Sequence, residues 1–229
     1  MGYKIQRRKI NYQAGHIIKK LGDFLLKNKE FFDLFIKIII DEKKSLMETN
    51  VKILVDRFVI AKVIKEEEAD IFLKLYFDFQ HYEEKGNLLE YIAQKLGPFG
   101  LEGRNCDYSC RSNFIYDEKQ IGNADFDLIF FNRESAEYYK DCIYIKEDEG
   151  EFIECKTDVR TFISEELSHT SQKKLNFIKS VYQSLKANPK CLFFIATFRK
   201  NVAIYEDILK KNNYEFISII SGKELLNKV

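Results

Sequence analysis

The sequence predicts an α/β protein with a central mixed β-sheet flanked by helices and an all-helical region ahead of it. Over the first third of the chain, apolar residues recur at helical spacing without the alternation of a strand. After Gly86, short apolar runs alternate with helical segments, and that order favours a mixed sheet with helices on both faces. We therefore divide the chain into a helical region, residues 1–85, and an α/β domain, residues 86–229.

Length and composition indicate a folded, soluble protein. The 229 residues suffice for one sizeable core, 45% are hydrophobic and 14% aromatic, and 32% are charged with a net charge of +1. No run of 18 apolar residues and no signal-peptide pattern is present, so we expect a cytoplasmic protein without a membrane partner. The five scattered cysteines suit a reducing compartment. Cys106 and Cys110 could form half of a zinc site, but a second half is missing.

Four helical segments are predicted in the helical region, at about residues 17–25, 31–36, 51–63 and 66–82. In the α/β domain, one more helix at residues 88–96 ends at Gly97-Pro98, because proline cannot continue it. Strands are predicted at residues 112–116, 125–131, 152–157, 192–197 and 216–220, and helices at 171–187, 202–211 and 223–228.

Two of the predicted strands carry charge where a core should be. Asp125 and Asp127 lie on one face of the first strand, and Glu154 and Lys156 share a face of the second. Burying an unpaired charge costs several kcal/mol at least, so something must compensate. If the two strands pair, an Asp, a Glu and a Lys converge, which is the constellation that a divalent metal and an activated water need.

This pattern resembles the PD-(D/E)XK nuclease superfamily, in which one strand supplies an Asp and the next supplies Glu-x-Lys. The corresponding residues are Asp127, Glu154 and Lys156. The resemblance covers roughly residues 86–229 and implies the restriction-endonuclease-like fold. The long separation between Asp127 and Glu154 departs from the shortest family members, so we place an insertion at about residues 132–150.

The resemblance implies a site for Mg²⁺, with Mn²⁺ as a substitute. Asp127, Glu154 and the backbone carbonyl of Cys155 would hold the ion, and Lys156 would orient or help to deprotonate the attacking water. Two alternatives stay open. Asp125 could take the place of Asp127, and Glu154 with Lys156 could be an edge-strand ion pair worth under about 1 kcal/mol.

Further candidates come from the two helices beside the site. Family members often carry an acidic residue on the helix before the sheet, where Glu90 stands, although Glu90 could equally be a solvated helical side chain. Gln172, Lys173 and Lys174 open the helix after the Glu-x-Lys strand, where family members often contact the site or the scissile phosphate. We assign Gln172 to the catalytic group and the two lysines to nucleic-acid binding.

The first 30 residues are rich in Lys and Arg. This clustering suits contacts with a phosphate backbone, although lysines on a solvated face would give the same pattern. The candidates for nucleic-acid binding are Arg7, Arg8, Lys19 and Lys20.

The functional hypothesis is a Mg²⁺-dependent nuclease, an endonuclease acting on DNA, with the helical region binding substrate or mediating dimerisation. Double-strand cleavage by this fold commonly implies a homodimer. The alternative is a non-catalytic nucleic-acid-binding or assembly module that keeps the fold. RNA is a third option for the substrate, without a recognition motif in its favour.

Overall fold

The computed structural model describes residues 2–7, 16–41, 48–81, 85–101 and 105–229. Within these ranges, nine strands form one mixed sheet. The strands are β1 (Tyr3–Arg7), β2 (Cys106–Tyr116), β3 (Lys119–Gln120), β4 (Phe126–Asn132), β5 (Ala136–Tyr138), β6 (Cys142–Ile145), β7 (Gly150–Cys155), β8 (Cys191–Ala196) and β9 (Ile217–Ile220).

Helices cover the sheet. They are α1 (His16–Leu25), α2 (Lys29–Asp41), α3 (Glu48–Ile60), α4 (Glu66–Gln80), α5 (Asn87–Leu96), α6 (His169–Ser184), α7 (Ala203–Lys211) and α8 (Gly222–Asn227), with short 3₁₀ turns at Arg133–Ser135 and Val159–Thr161. Every helix within the described ranges is too short or too polar to span a lipid bilayer.

The strands run in the order β5-β6-β1-β2-β4-β7-β8-β9, with β3 paired to β2. The β7–β8 and β8–β9 pairs are parallel, and the other pairs are antiparallel. Parallel neighbours need a crossover, which α6 and α7 supply. The general prediction of an α/β protein with a mixed sheet is therefore confirmed.

The prediction that residues 1–85 are helical throughout is wrong at Tyr3–Arg7, which form β1. This strand lies between β2 and β6 inside the sheet, and Tyr3 and Ile5 are fully buried. A five-residue alternation is too short to be distinguished from the neighbouring helical pattern by periodicity. The first described residues thus belong to the sheet.

Two apolar layers hold the helices against the sheet. Side chains from α1 to α5 form one core with Leu128, Phe130 and Ile153 of the sheet, and α6 and α7 form the second core on the other face. The second core is aromatic at its centre, where the rings of Phe152 and Phe193 stack with centroids 4.9 Å apart. Strands β4, β7 and β8 are therefore covered on both faces.

The insertion placed at residues 132–150 forms a 3₁₀ turn and the β5–β6 hairpin, which extends the sheet beyond β1. It leaves the pairing of β4 with β7 intact, with Leu128 opposite Ile153. Asp127 and Glu154 are the next residues of these two strands.

A buried carboxylate on β7 fixes the loop that follows α5. Glu151 has no exposed surface, and its oxygens accept hydrogen bonds from the amides of Phe99, Gly100 and Leu101 at 2.5–2.9 Å. Three convergent amides satisfy a buried negative charge that would otherwise be costly. This contact ties the end of α5 to the strand that carries Glu154.

We expect Glu151→Ala to lower the free energy of unfolding by about 3 kcal/mol or more, because the three amides of the loop after α5 lose their acceptor. Urea unfolding of the two proteins measures the difference. The matched control is Glu118→Ala, which removes an exposed carboxylate paired with Lys4 and should cost under about 1 kcal/mol. Equal losses in both variants would contradict the anchoring role of Glu151.

Candidate active site

The acidic residues of β4 and β7 meet where the pairing of the two strands ends. The Oδ2 atom of Asp127 accepts a hydrogen bond from the amide of Cys155 at 2.7 Å. A side chain of β4 thereby holds the backbone of β7 between Glu154 and Lys156. This contact fixes the predicted Asp strand and the Glu-x-Lys strand against each other.

Glu154 is a buried carboxylate held by two lysines. Only 3% of its side chain is exposed; Oε1 lies 2.6 Å from Nζ of Lys156, and Oε2 lies 2.6 Å from Nζ of Lys174. Strand β7 lies between β4 and β8, so the alternative of a solvated pair on an edge strand is wrong. Breaking a buried pair leaves an uncompensated charge, and this costs far more than breaking a surface pair.

Lys174, which we assigned to nucleic-acid binding, lies in the site beside Glu154. Its side chain is only 15% exposed, and its ammonium also donates to the backbone carbonyl of Asp125. The Oε2 atom of Glu154 is close to Lys174 but has no hydrogen bond of good alignment. Both oxygens of this buried carboxylate therefore already lie beside an ammonium group.

Burial and neighbouring negative charge raise the pKa of Asp127 to about 8. Burial contributes most, followed by the carboxylates of Glu154 and Glu90, while Lys174 and Lys156 oppose the shift. Burial also raises the pKa of Glu90, against the hydrogen bonds from Arg111. Burial thus favours the protonated, neutral forms of Asp127 and Glu90.

Lys156 remains firmly protonated in this arrangement. Burial alone would lower its pKa, but the carboxylates of Glu154 and Asp127 outweigh that effect and raise it. Burial also raises the pKa of the Cys155 thiol well above its usual value. A neutral thiol is a poor metal ligand, so only backbone atoms of Cys155 suit the predicted role.

Glu90 is 9% exposed and forms an ion pair with Arg111, so the alternative of a solvated helical side chain is wrong. The guanidinium of Arg111 donates to the two oxygens of Glu90 at 3.2 and 3.3 Å and to Oδ1 of Asn87 at 2.6 Å. This pair attaches α5 to β2 beside the Asp127 strand.

Sequence reasoning missed Arg111 because the predicted strand began one residue later. In the register of β2 with β4, Arg111 lies opposite Asp127, and its φ of +45° is unusual for a residue other than glycine. The hydroxyls of Ser109 and Ser112 are 2.7 Å apart, so side chains three positions apart share a face. The alternation of β2 is therefore broken at Arg111.

The remaining predicted residues are exposed or lie outside the residues that the structure describes. Gln172 is exposed, and its amide donates to the carbonyl of Leu167 at 3.0 Å. Lys173, Lys19 and Lys20 are exposed on their helices. Arg7 belongs to β1 but its side chain lies outside the described residues, and so does the whole of Arg8.

The donor set fits a hard divalent cation in chemistry. Asp127 and Glu154 offer hard oxygen ligands, and a cation beside them would offset the burial and the neighbouring carboxylates that raise the pKa of Asp127. Over the ranges that the structure describes, no three His, Cys, Asp or Glu side chains are grouped so as to hold a metal ion. Backbone carbonyl and water ligands would have to complete such a site.

No protein-family model matches this chain, and no curated protein sequence matches it.

The pKa of Asp127 gives a prediction for stability against pH. An unfolded Asp has a pKa near 3.9, so between about pH 4 and pH 8 the folded protein retains a proton that unfolding releases. Stability should therefore fall as the pH rises through this window. Asp127→Asn cannot ionise and should lose this dependence, gaining at least about 1 kcal/mol relative to wild type between pH 5 and pH 8.

Urea unfolding at pH 5, 6.5 and 8 in a chelator measures this effect. Asp207→Asn, at an exposed position on α7, is the control and should follow the wild-type curve. A parallel pH dependence of Asp127→Asn and wild type would show that Asp127 is ionised throughout.

Proposed function

We propose that this protein is a Mg²⁺-dependent nuclease that hydrolyses phosphodiester bonds of DNA as an endonuclease. The observation that carries the proposal is the buried Glu154, paired with Lys156 at 2.6 Å beside an Asp127 whose pKa is raised to about 8. Strongly perturbed carboxyl groups next to a protonated lysine are typical of catalytic sites.

The order of elements supports the proposal. Helix α5, the three antiparallel strands β2, β4 and β7, then α6 and β8 occur in this order along the chain, with β3 before β4 and the β5–β6 hairpin before β7; β8 is parallel to β7. The restriction-endonuclease-like core that the resemblance implies has this order, with its Asp and Glu-x-Lys on the second and third strands. Fold alone does not establish activity, so the proposal depends on the side chains of the site.

Asp127, Glu154 and the carbonyl of Cys155 would hold the metal. A divalent cation there would neutralise charge on the phosphate and make a bound water more acidic. Lys156 keeps one oxygen of Glu154 fixed and is about one-third exposed, so its remaining N–H groups can reach a water or a phosphate oxygen. Its raised pKa means that it donates hydrogen bonds in this state and does not accept a proton.

Lys174 balances the charge of Glu154 from the helix side. Because it also donates to the carbonyl of Asp125, it joins α6 to the start of β4. Cation binding at Oε2 would compete with this contact. The ammonium group of Lys174 thus supplies part of the positive charge that already balances Glu154.

The alternative function is a non-catalytic nucleic-acid-binding or assembly module. The observation in its favour is that each oxygen of Glu154 already lies 2.6 Å from a lysine, so the buried charge has partners without a metal. Such a module would bind DNA equally well with and without divalent cations. Metal-dependent cleavage separates the two functions.

The first test is incubation of the protein with supercoiled plasmid, linear duplex, single-stranded DNA and RNA in Mg²⁺ or Mn²⁺. We expect cleavage of closed-circular plasmid, which lacks ends and therefore reports endonuclease action. Lys156→Ala should reduce the rate at least about 100-fold because the hydrogen-bond donor next to the attacking water is lost. Glu154→Ala should lose cleavage and also metal binding, measured by calorimetry.

The control is Lys146→Ala, which removes a lysine paired with Glu137 at 2.7 Å near the β5–β6 edge. It should cleave at the wild-type rate. Melting temperatures of all variants separate loss of catalysis from loss of fold. Wild-type cleavage by Lys156→Ala or Glu154→Ala would exclude the mechanism.

We also propose that the helical region contributes to substrate binding or to a homodimer. The exposed Lys19 and Lys20 of α1 are the described part of the basic N-terminal set. Neutralising both to Gln should weaken DNA binding and flatten its salt dependence, as titration at several salt concentrations would show. Unchanged affinity and slope would make them ordinary solvated lysines.

A further inference from the structure

The loops that follow β7 and β8 are joined by a buried threonine, just beyond Lys156. The hydroxyl of Thr197 accepts hydrogen bonds from the amides of Val159 and Arg199 at 3.2 and 3.3 Å and donates to the carbonyl of Thr157 at 3.2 Å. Ligands of parallel α/β sheets bind beyond the carboxyl ends of the strands. This end of β7 and β8 is therefore a rigid surface next to the candidate site.

The carboxylate of Asp158 forms ion pairs with two arginines on this surface. Its oxygens accept from Nη2 of Arg160 at 2.8 Å and from Nε and Nη2 of Arg199 at 2.8 and 3.1 Å. Burial alone would raise the pKa of Asp158, but the hydrogen bonds from Arg199 and from the amide of Arg160 lower it. One ionised carboxylate thus fixes two guanidinium groups.

The carboxylate of Asp33 forms ion pairs with two lysines next to these arginines. It lies 3.0 Å from Nζ of Lys37 and in contact with Nζ of Lys200, the residue after Arg199. Helix α2, which supplies Asp33 and Lys37, is held here by Phe32 and Phe35, whose rings pack edge-on against Phe198. The second group therefore borders the first.

We call Lys37, Arg160, Arg199 and Lys200 together the cationic patch. These four cations share the carboxylates of Asp158 and Asp33, so positive groups outnumber negative groups by two within the patch. The carboxylate of Glu165, later in the same loop, lines a depression with residues of α7 instead. Lys37 and Arg160 have 44% and 40% of their side chains exposed, so a ligand can reach them.

We propose that the cationic patch binds the phosphate backbone of the nucleic acid whose scissile bond enters the candidate site, an inference that rests on the proposed function. Guanidinium groups fixed in advance match phosphate oxygens in shape and lose little entropy on binding. The patch extends from the turn after Lys156 across the ends of β7 and β8 to α2. A chain of phosphates bound there would continue the strand held at Lys156.

The test uses Arg160→Gln with Lys37→Gln in one protein. Each substitution leaves its carboxylate with the other cation, Arg199 or Lys200, so the fold is preserved and the melting temperature should stay within about 2 °C of wild type. Binding to a short duplex is measured by fluorescence anisotropy in a chelator, between 0.05 and about 0.3 M salt. The control is Lys146→Gln, whose ion pair with Glu137 lies near the opposite edge of the sheet.

We expect the slope of log affinity against log salt to fall by about 1.8 in magnitude, about 0.9 for each lost phosphate contact, with more than tenfold weaker binding near 0.1 M salt. The control should keep the wild-type slope. RNA and single-stranded DNA of the same sequence are titrated alongside, with about 0.7 expected for each contact on a single strand. A smaller salt slope of the patch variant on any of these nucleic acids identifies the phosphate backbone as the ligand. Comparison of the slopes shows which nucleic acid the patch favours.

Equal slopes in patch variant and wild type, an equal loss in the control, or no binding by wild type would overturn the proposal. Its outcome is separable from that of the nuclease proposal because binding is measured without metal. If wild type cleaves DNA and the patch variant binds DNA as wild type does, the patch proposal fails and the nuclease proposal stands. If binding depends on the patch but no Mg²⁺- or Mn²⁺-dependent cleavage occurs, the patch proposal stands and the nuclease proposal fails.

Discussion

The burial of the Glu154 carboxylate in a central strand is the constraint on which the site depends. A carboxylate without a partner in this position would cost several kcal/mol, and apolar neighbours cannot compensate for it. The protein uses two ammonium groups from different elements, Lys156 just after β7 and Lys174 on α6. Any movement of α6 relative to β7 would expose or separate these charges. The electrostatics of one residue therefore fixes the relation of helix to sheet.

A second buried carboxylate on the same strand fixes the opposite layer. Glu151 holds the loop after α5 through three amides, and the Glu90–Arg111 pair holds α5 itself to β2. The helices of the first core are thus attached to the sheet by polar contacts at defined points as well as by apolar packing. Polar contacts of this kind require one geometry, whereas apolar surfaces can slide.

Charge is distributed unevenly around the end of β7. Inside, burial first and the carboxylates of Glu154 and Glu90 second raise the pKa of Asp127 to about 8, against the opposing effect of the nearby lysines. Outside, in the cationic patch, positive charge is in excess. A bound cation would stabilise the ionised form of a carboxyl group whose pKa burial raises, and a basic exterior attracts a polyanion. A protein that brings a metal ion and a phosphodiester together needs both.

Local sequence was sufficient for the α/β class, for the strands that carry Asp127 and Glu154, and for the shared face of Glu154 and Lys156, because alternation and apolar runs depend on neighbouring residues. Only the tertiary structure decided that β1 enters the sheet between β2 and β6 and that residues 132–150 extend the sheet instead of disturbing the site. It also decided that Lys174 contacts Glu154 and that Arg111 contacts Glu90. Strand order and ion pairs join residues far apart in the chain, and their energies depend on burial, which no local pattern contains.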